Sequence, residues 1–299
     1  MINPHPELPE LEYVKPASLV EASRFLKEHD SEARPFAGGT DCFVRMRDGV
    51  MKLKYLVDVK GLNGTQDLSF DPKKGLTIGA AVTMNKVADN ADVTSHYPLL
   101  SQAAGSVASY QLRNRATVIG NICNASPAGD TIGACIAYEG VLNVHGESGM
   151  HQVPLSNFFL GPGKTVLKTG DIVVSITLPL PKEGSFGVYK KLGRNIIGDL
   201  SIIGVAVLGY PCQESPSGYQ FRIVLASVAS VPFEAFKAEA VLAKTKITND
   251  VIAEAALAAM ESVKPIDDVR GSARYRKYMA RNLTRETISE VWAKIGKHG

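Results

Sequence analysis

Two glycine-bearing loops carry most of the chemistry legible in this 299-residue chain. The first is Pro35-Phe-Ala-Gly-Gly-Thr-Asp-Cys42, where a short apolar segment empties into paired glycines. With no Cβ at Gly38 and Gly39, backbone N–H groups can approach an anion closely. Thr40 adds a hydroxyl, and the residues after it pattern as a helix whose positive end can face the same point. Taken alone, such a loop reads equally as an ordinary strand-to-helix turn. The second is Arg113-Asn-Arg-Ala-Thr-Val-Ile-Gly-Asn121, continuing as Ile-Cys-Asn-Ala-Ser-Pro-Ala-Gly-Asp130. It is dense in small residues and in single hydrogen-bonding side chains: Thr117, Asn121, Asn124, Ser126 and Asp130. A dinucleotide needs that mixture, with donors for phosphate and an acceptor such as Asp130 for sugar or ribityl hydroxyls. The plainer reading of this loop is a capped polar connection.

Other chemistries lack their residues. No G-x-G-x-x-G follows a strand, so the Rossmann fingerprint is missing. Gly161-Pro-Gly-Lys-Thr165 resembles the end of a phosphate loop, but Phe158 stands where the first glycine is required, and the stretch reads as a turn. His5, His29, His96, His145, His151 and His298 have no H-x-H or H-E-x-x-H spacing, which favours surface or capping roles over metal ligation. No G-x-S-x-G elbow marks a hydrolase. Cys42, Cys123, Cys135 and Cys212 are scattered without a C-x-x-C pair and read as reduced, buried thiols.

The elements around the loops follow from capping and periodicity. Ser18-Leu-Val-Glu21 is a capping box that opens a helix carrying Val20, Phe25 and Leu26. Strands are expected at Pro35–Ala37, Tyr55–Val59, Leu76–Ala81, Val141–His145 and Ile172–Leu178. Helices are expected at Thr83–Asn90, Leu99–Ser109 and Asp130–Ala137. The Pro-rich stretch Leu178–Gly184 is the candidate linker. Beyond it come three strands, Phe186–Leu192, Ser201–Tyr210 and Gln220–Val228, then helices at Pro232–Lys244, Asp250–Val263 and Ser272 to about Ile295. Strands followed by helices indicate α+β, with the helices on one face of an antiparallel sheet. On the last helix Arg270, Arg274, Lys277, Arg281 and Arg285 recur at three or four residues, while Tyr275, Tyr278 and Leu283 can turn away. That stripe is either a solvated face or a docking surface.

Taken together, the two loops resemble the FAD-binding medium subunit of the molybdenum hydroxylases, the xanthine and carbon monoxide dehydrogenase family. The family signatures A-G-G-T-D/x-L and R-N-x-A/G-T-x-G-G-N-x-x-x-A-S-P-x-x-D correspond to Ala37–Cys42 and Arg113–Asp130. Further matching stretches are Gly161–Thr165 through the strand to Leu178, and Tyr189-Lys-Lys-Leu-Gly-Arg194 with Asp199 and Leu200. The resemblance spans nearly the whole chain. It implies an α+β fold: a p-cresol-methylhydroxylase-type FAD-binding domain over 1–178, of two subdomains divided near 57, then an α+β C-terminal domain over 185–296.

It also implies one non-covalent FAD. Pro35, Phe36, Ala37, Gly38, Gly39, Thr40, Asp41 and Cys42, with Thr117, Val118, Ile119, Gly120 and Asn121, would hold its pyrophosphate and ribityl groups. Asp130 would bind from the second loop's extension, and Val107, Val173 and Lys190 fall at flavin-side positions. A cation at Lys190 would stabilise the reduced ring; otherwise Lys190 is a solvated lysine. Two departures stand out. Ile119 replaces a usual glycine and must avoid positive φ. Cys42 replaces a usual leucine and should be a small buried hydrophobe. Some relatives carry an iron–sulfur cluster in an inserted loop, but no cysteine-rich insertion exists here, so no metal is expected in this chain.

The implied role is electron transfer inside a complex, a dimer of heterotrimers. Molybdopterin would sit on a large partner subunit and 2Fe–2S clusters on a small one, with electrons leaving to NAD(P) or another acceptor. No residue of this chain need act as a catalytic acid or base. Two alternatives stay open: a stand-alone flavin reductase of the same superfamily, and a scaffold subunit that has lost the flavin. Composition is compatible with all three. Apolar residues make up 45% and charged residues 21%, ordinary for a globular chain of about two domains. A net charge of +3 is too mild to point to nucleic acid. No apolar run approaches the ~18 residues of a membrane span. The Pro-interrupted N-terminus lacks a signal-like apolar core, so a cytoplasmic protein is expected.

Overall fold

The computed structural model describes residues 8–195 and 198–296, so His5 and His298 lie outside the described residues. The first unit holds β1 (Glu12–Val14), α1 (Leu19–His29), β2 (Ala33–Phe36), α2 (Cys42–Arg47) and β3 (Tyr55–Asp58). Ser18 caps α1 by accepting the Glu21 N–H at 3.1 Å, and Glu21 accepts the Ala17 N–H at 2.8 Å. The reciprocal bond thus reaches one residue further back than in the usual capping box. The buried positions of α1 are Ala22 and Leu26, spaced at i, i+4. Val20, expected on that face, is 67% exposed instead. The strands form a parallel sheet in the order β1-β3-β2, with helical crossovers as parallel pairing requires. β3 runs across position 57, where a subdomain boundary was expected, and the sheet ends at Asp58.

The second unit begins with β4 (Leu68–Asp71) and β5 (Gly75–Gly79). A run of short helices follows: α3 (Met84–Ala88), α4 (Ala91–His96), α5 (Pro98–Gly105), α6 (Tyr110–Arg113), α7 (Val118–Asn124) and α8 (Asp130–Ala137). The helix expected over Thr83–Asn90 stops early, because the Asn90 side chain caps α4 through the N–H groups of Asp92 and Val93. β6 (Val141–Gly146), β7 (Gly149–Pro154), the hairpin β8 (Phe159–Gly161) and β9 (Lys164–Thr165), and β10 (Ile172–Leu178) complete the unit. The phosphate-loop-like stretch is therefore a hairpin turn. The main sheet is antiparallel in the order β4-β5-β10-β6-β7. β10 sits in the middle, with Leu76, Ile78, Leu142, Val144, Ile176 and Leu178 buried in the largest core.

The third unit holds β11 (Phe186–Leu192), β12 (Ile203–Pro211), β13 (Tyr219–Ala226), β14 (Phe233–Glu234), α9 (Phe236–Lys244), α10 (Asn249–Ser262) and α11 (Ala273–Ile295). Its strands form an antiparallel meander. As expected, the unit's own helices lie on one face of this sheet, and β12 is buried from Ile203 to Tyr210 because elements of the second unit cover the other face. Val205 and Val207 face α9–α11, while Ala206 and Leu208 join the core built on α5 and α8. An all-apolar strand is the mark of a sheet covered on both sides.

The basic stripe differs from its sequence reading. Arg270 precedes α11 and donates to Asp268 at 2.7 and 3.1 Å. Tyr275 and Tyr278 stay exposed beside the cations, with Arg274 and Arg281 each 5.8 Å from the Tyr278 ring. Beneath them Arg276 is buried, donating to Asp268 at 2.5 Å and to the Ser227 carbonyl at 3.2 Å. No helix among the described residues is long and apolar enough to cross a membrane.

Candidate functional site

The first glycine loop leaves β2 at Phe36, whose carbonyl accepts the Val59 N–H. Gly39 has φ +75°, and a Cβ there would lie 2.5 Å from the Phe36 ring, so the turn demands glycine. α2 then starts with Phe43 and Arg45 donating back to the Gly39 and Asp41 carbonyls. Among the described residues none accepts from the N–H groups of Gly38, Gly39, Thr40, Asp41 or Cys42. Five successive free donors bending around a turn are a nest for an anion. Asp41 provides no side-chain cap, and burial pushes its carboxyl up, opposed by Arg45. Cys42, expected to be buried, is only half-buried and contacts the Met51 sulfur at 3.8 Å.

The second loop is pinned where Met84 N–H meets the Ala116 carbonyl at 2.8 Å. Thr117 caps α7 by accepting the Gly120 N–H at 2.9 Å. The N–H groups of Val118 and Ile119, both buried residues, have no acceptor among the described residues. A buried donor without a partner is costly, and an incoming acceptor removes that cost. Ile119 is helical, keeps φ negative and packs into the main core, so the missing glycine is accommodated. Gly120 is exposed, and Asn121 accepts the Thr131 hydroxyl at 2.9 Å, tying α7 to α8.

The loops meet backbone to backbone. A Cβ on Gly38 would stand 2.2 Å from the Arg115 carbonyl oxygen, and Arg45 reaches Asn124 at 3.4 Å. Free donors are thus carried by two loops in direct contact, the donor set a pyrophosphate needs. The residues present fit FAD.

The remaining expected residues are placed differently. Asp130 is buried and already engaged. It accepts the Tyr189 hydroxyl at 2.7 Å, the Ser201 hydroxyl, and Lys191 Nζ at 2.8 Å. Burial, with the Asp130 charge beside it, pushes the Tyr189 hydroxyl well above its ordinary value. Val107 lies on a turn whose carbonyls, with that of Ala108, accept Arg113 Nη1 at 2.9 and 3.2 Å. Val173 is buried in β10 beside a bulge, its side chain in the core. Lys190 turns away from the loops and pairs with Glu286 and Glu290 of α11. Its neighbour Lys191 takes the inner face, because successive strand residues point to opposite sides. Sequence reading did not single out Lys191, Tyr189 or Ser201, because strand alternation separates Lys190 from Lys191 without saying which face meets which neighbour. Arg194 and Asp199 pair nearby at 3.2 Å, and the Arg194 hydrogen bonds outweigh burial to hold the Asp199 carboxyl down to about 2. Among the described residues no group of His, Cys, Asp and Glu is placed to hold a metal ion.

Residues 9–181 match the family described as the FAD binding domain in molybdopterin dehydrogenase, and residues 187–291 match the CO dehydrogenase flavoprotein C-terminal domain. The carbon monoxide dehydrogenase medium chain of Hydrogenophaga pseudoflava is 31% identical, covering 96% of this chain and 98% of that one. The xanthine dehydrogenase FAD-binding subunit of Escherichia coli O157:H7 is 27% identical over 95% and 97%. Among solved structures, a carbon monoxide dehydrogenase from Hydrogenophaga pseudoflava superposes with a TM-score of 0.91 at 30% identity, covering 96% and 99%.

Proposed function

The chain belongs to the FAD-binding subunits of the molybdopterin dehydrogenases, and from that premise we propose that it is the electron-transfer subunit of a cytoplasmic molybdenum hydroxylase. It takes electrons from 2Fe–2S clusters on a small subunit, reduced by a large molybdopterin subunit, and passes them to NAD(P)⁺ or another acceptor. The assembly is a heterotrimer that dimerises. Bound FAD supplies the redox chemistry, since a flavin can take up and release two electrons.

The observation that carries this reading is the pair of apposed loops with unpartnered N–H donors. Gly38 through Cys42 and Val118 with Ile119 would hold the pyrophosphate, the glycines letting backbone reach it directly. Thr117 fixes the first turn of α7, which carries these free donors, by capping it at Gly120. Lys191, anchored on Asp130, holds a positive charge beside the second loop.

The test is purification of the chain alone and with its two partners. The chain alone should bind about one FAD and leave the organic substrate untouched, and bleaching of the flavin by that substrate should require both partners. Unaided turnover of a substrate by the chain would favour a stand-alone reductase. Colourless protein after FAD reconstitution would favour a scaffold.

A further inference from the structure

We infer that Lys191, held in place by Asp130, raises the reduction potential of the flavin; this rests on the FAD-subunit reading above. In β11 the pleat sends Tyr189 and Lys191 to the face covered by α5 and α8, and Lys190 to α11. The Lys191 side chain is only 14% exposed. An ammonium has three N–H donors. Two are used among the described residues, one on Asp130 at 2.8 Å and one on the Ser106 carbonyl at 3.2 Å. The third has no acceptor among the described residues and is left for the cofactor.

The surroundings fix where that charge sits. Asp130 directly precedes Thr131, whose hydroxyl bonds Asn121 of the second loop. The ammonium is therefore tied to the residues that would hold the cofactor. Ser106 directly precedes Val107, one of the expected flavin-side positions. The other Asp130 oxygen accepts from Tyr189 and Ser201, so the carboxylate is held from behind and only its lysine end faces outward. Lysine is normally a mobile point charge; here two hydrogen bonds preorganise it. A fixed cation in a partly desolvated site favours the more negative, reduced cofactor. Lys190 cannot substitute, because it lies on the opposite face of β11, paired with Glu286 and Glu290 of α11.

The experiment compares Lys191→Met, Lys191→Arg and Lys190→Met in the full chain, measuring FAD content by absorbance and potential by dye-equilibrated reduction. Lys191→Met should keep its flavin while the reduced-to-oxidised ratio at fixed potential falls about tenfold, or about 30 mV for a two-electron couple. Lys191→Arg, which keeps the charge, should restore most of that ratio, and Lys190→Met should leave it unchanged. If Lys191→Met sheds its flavin, Lys191→Gln is measured in its place against the same expectation. A flavin-loaded Lys191→Met or Lys191→Gln with an unaltered ratio overturns the inference, as does a Lys191→Arg ratio as low as that of Lys191→Met. Wild-type chain that takes up no FAD would overturn the subunit reading itself.

Discussion

Gly38→Ala tests whether the cofactor site depends on the contact between the two loops. The added Cβ would lie 2.2 Å from the Arg115 carbonyl oxygen and 2.9 Å from its carbon. Both obstacles are backbone, so no side-chain rotation relieves the clash. The loops must part by about 0.8 Å before the closer contact reaches even 3.0 Å. Overpacking of this kind costs roughly 1–3 kcal/mol. If the whole cost falls on the assembled site, FAD binding weakens roughly 5- to 150-fold, at about 1.4 kcal/mol per factor of ten. The damage arrives through the second loop, by spreading the donors of Gly38–Cys42 away from those of Val118 and Ile119, and needs no collision with the ligand. The assay strips the flavin and titrates it back, following quenching of flavin fluorescence. Gly161→Ala is the control, because a Cβ there meets nothing within 4 Å. A Gly38→Ala protein that binds FAD as tightly as wild type and the control would refute the reasoning.

Other perturbations report on the C-terminal unit. Asp268→Ala strands the buried Arg276 guanidinium, whose Nε already lacks a partner, and should cost about 3–5 kcal/mol in denaturant unfolding. Burial opposes ionisation of Asp268, but hydrogen bonds from Arg270 and Arg276 outweigh it and hold the carboxyl well below the usual range. That stability is present above the ordinary carboxylate pKa of about 3.9 and lost as pH falls below it, so Asp268→Asn should show a shallower acid loss. Glu239 is the opposite case. Burial raises it to about 7 against the hydrogen bond from the Ile223 N–H. Its contribution is complete below the unfolded value of 4.5 and fades as pH rises through about 7. Glu239→Gln, which keeps an acceptor for Ile223, should therefore lose less Tm between pH 5 and 8 than wild type. Reversing Arg274 and Arg281 to glutamate should leave FAD content intact and reduce partner co-elution most strongly at low salt. Unchanged assembly at low salt would mark the stripe as a solvated face.

The loops were legible because their information is local: Gly38, Gly39 and Thr117 act through their own turns and caps, within a few residues. The three C-terminal strands and three helices were legible for the same reason, since each repeats its pattern along its own length. What failed needed knowledge of the far side of an element. Which of Lys190 and Lys191 points inward depends on which face of β11 meets α5 and α8 and which meets α11, and periodicity assigns parity without assigning neighbours. The cover on the other side of the third sheet, by helices of the second unit, is hidden in the same way, since Ala206 and Leu208 look like any other strand residues until α8 lies against them. Asp130 was legible as an important acidic residue, but its partners Tyr189, Lys191 and Ser201 lie 59 to 71 residues away. Val20 was misassigned because an apolar residue in the first turn of a helix need not face the core when Ala22 and Leu26 already fill it.

The central place of β10 has a consequence for how the protein is made. β5 and β6 are not bonded to each other; each pairs with β10, which emerges from the ribosome about a hundred residues after β5 begins. Until residue 178 is free, the nascent chain presents two unfilled, apolar strand edges, a template for mispairing between chains. Closing that sheet then requires long-range contacts, which form slowly. Both glycine loops are synthesised before this point, yet the partners of Asp130 on β11 and at Ser201 come later still. Flavin capture is consequently a late event in biogenesis, after most of the polypeptide has been translated, and a chain truncated before β10 would hold every loop residue without the sheet that positions them.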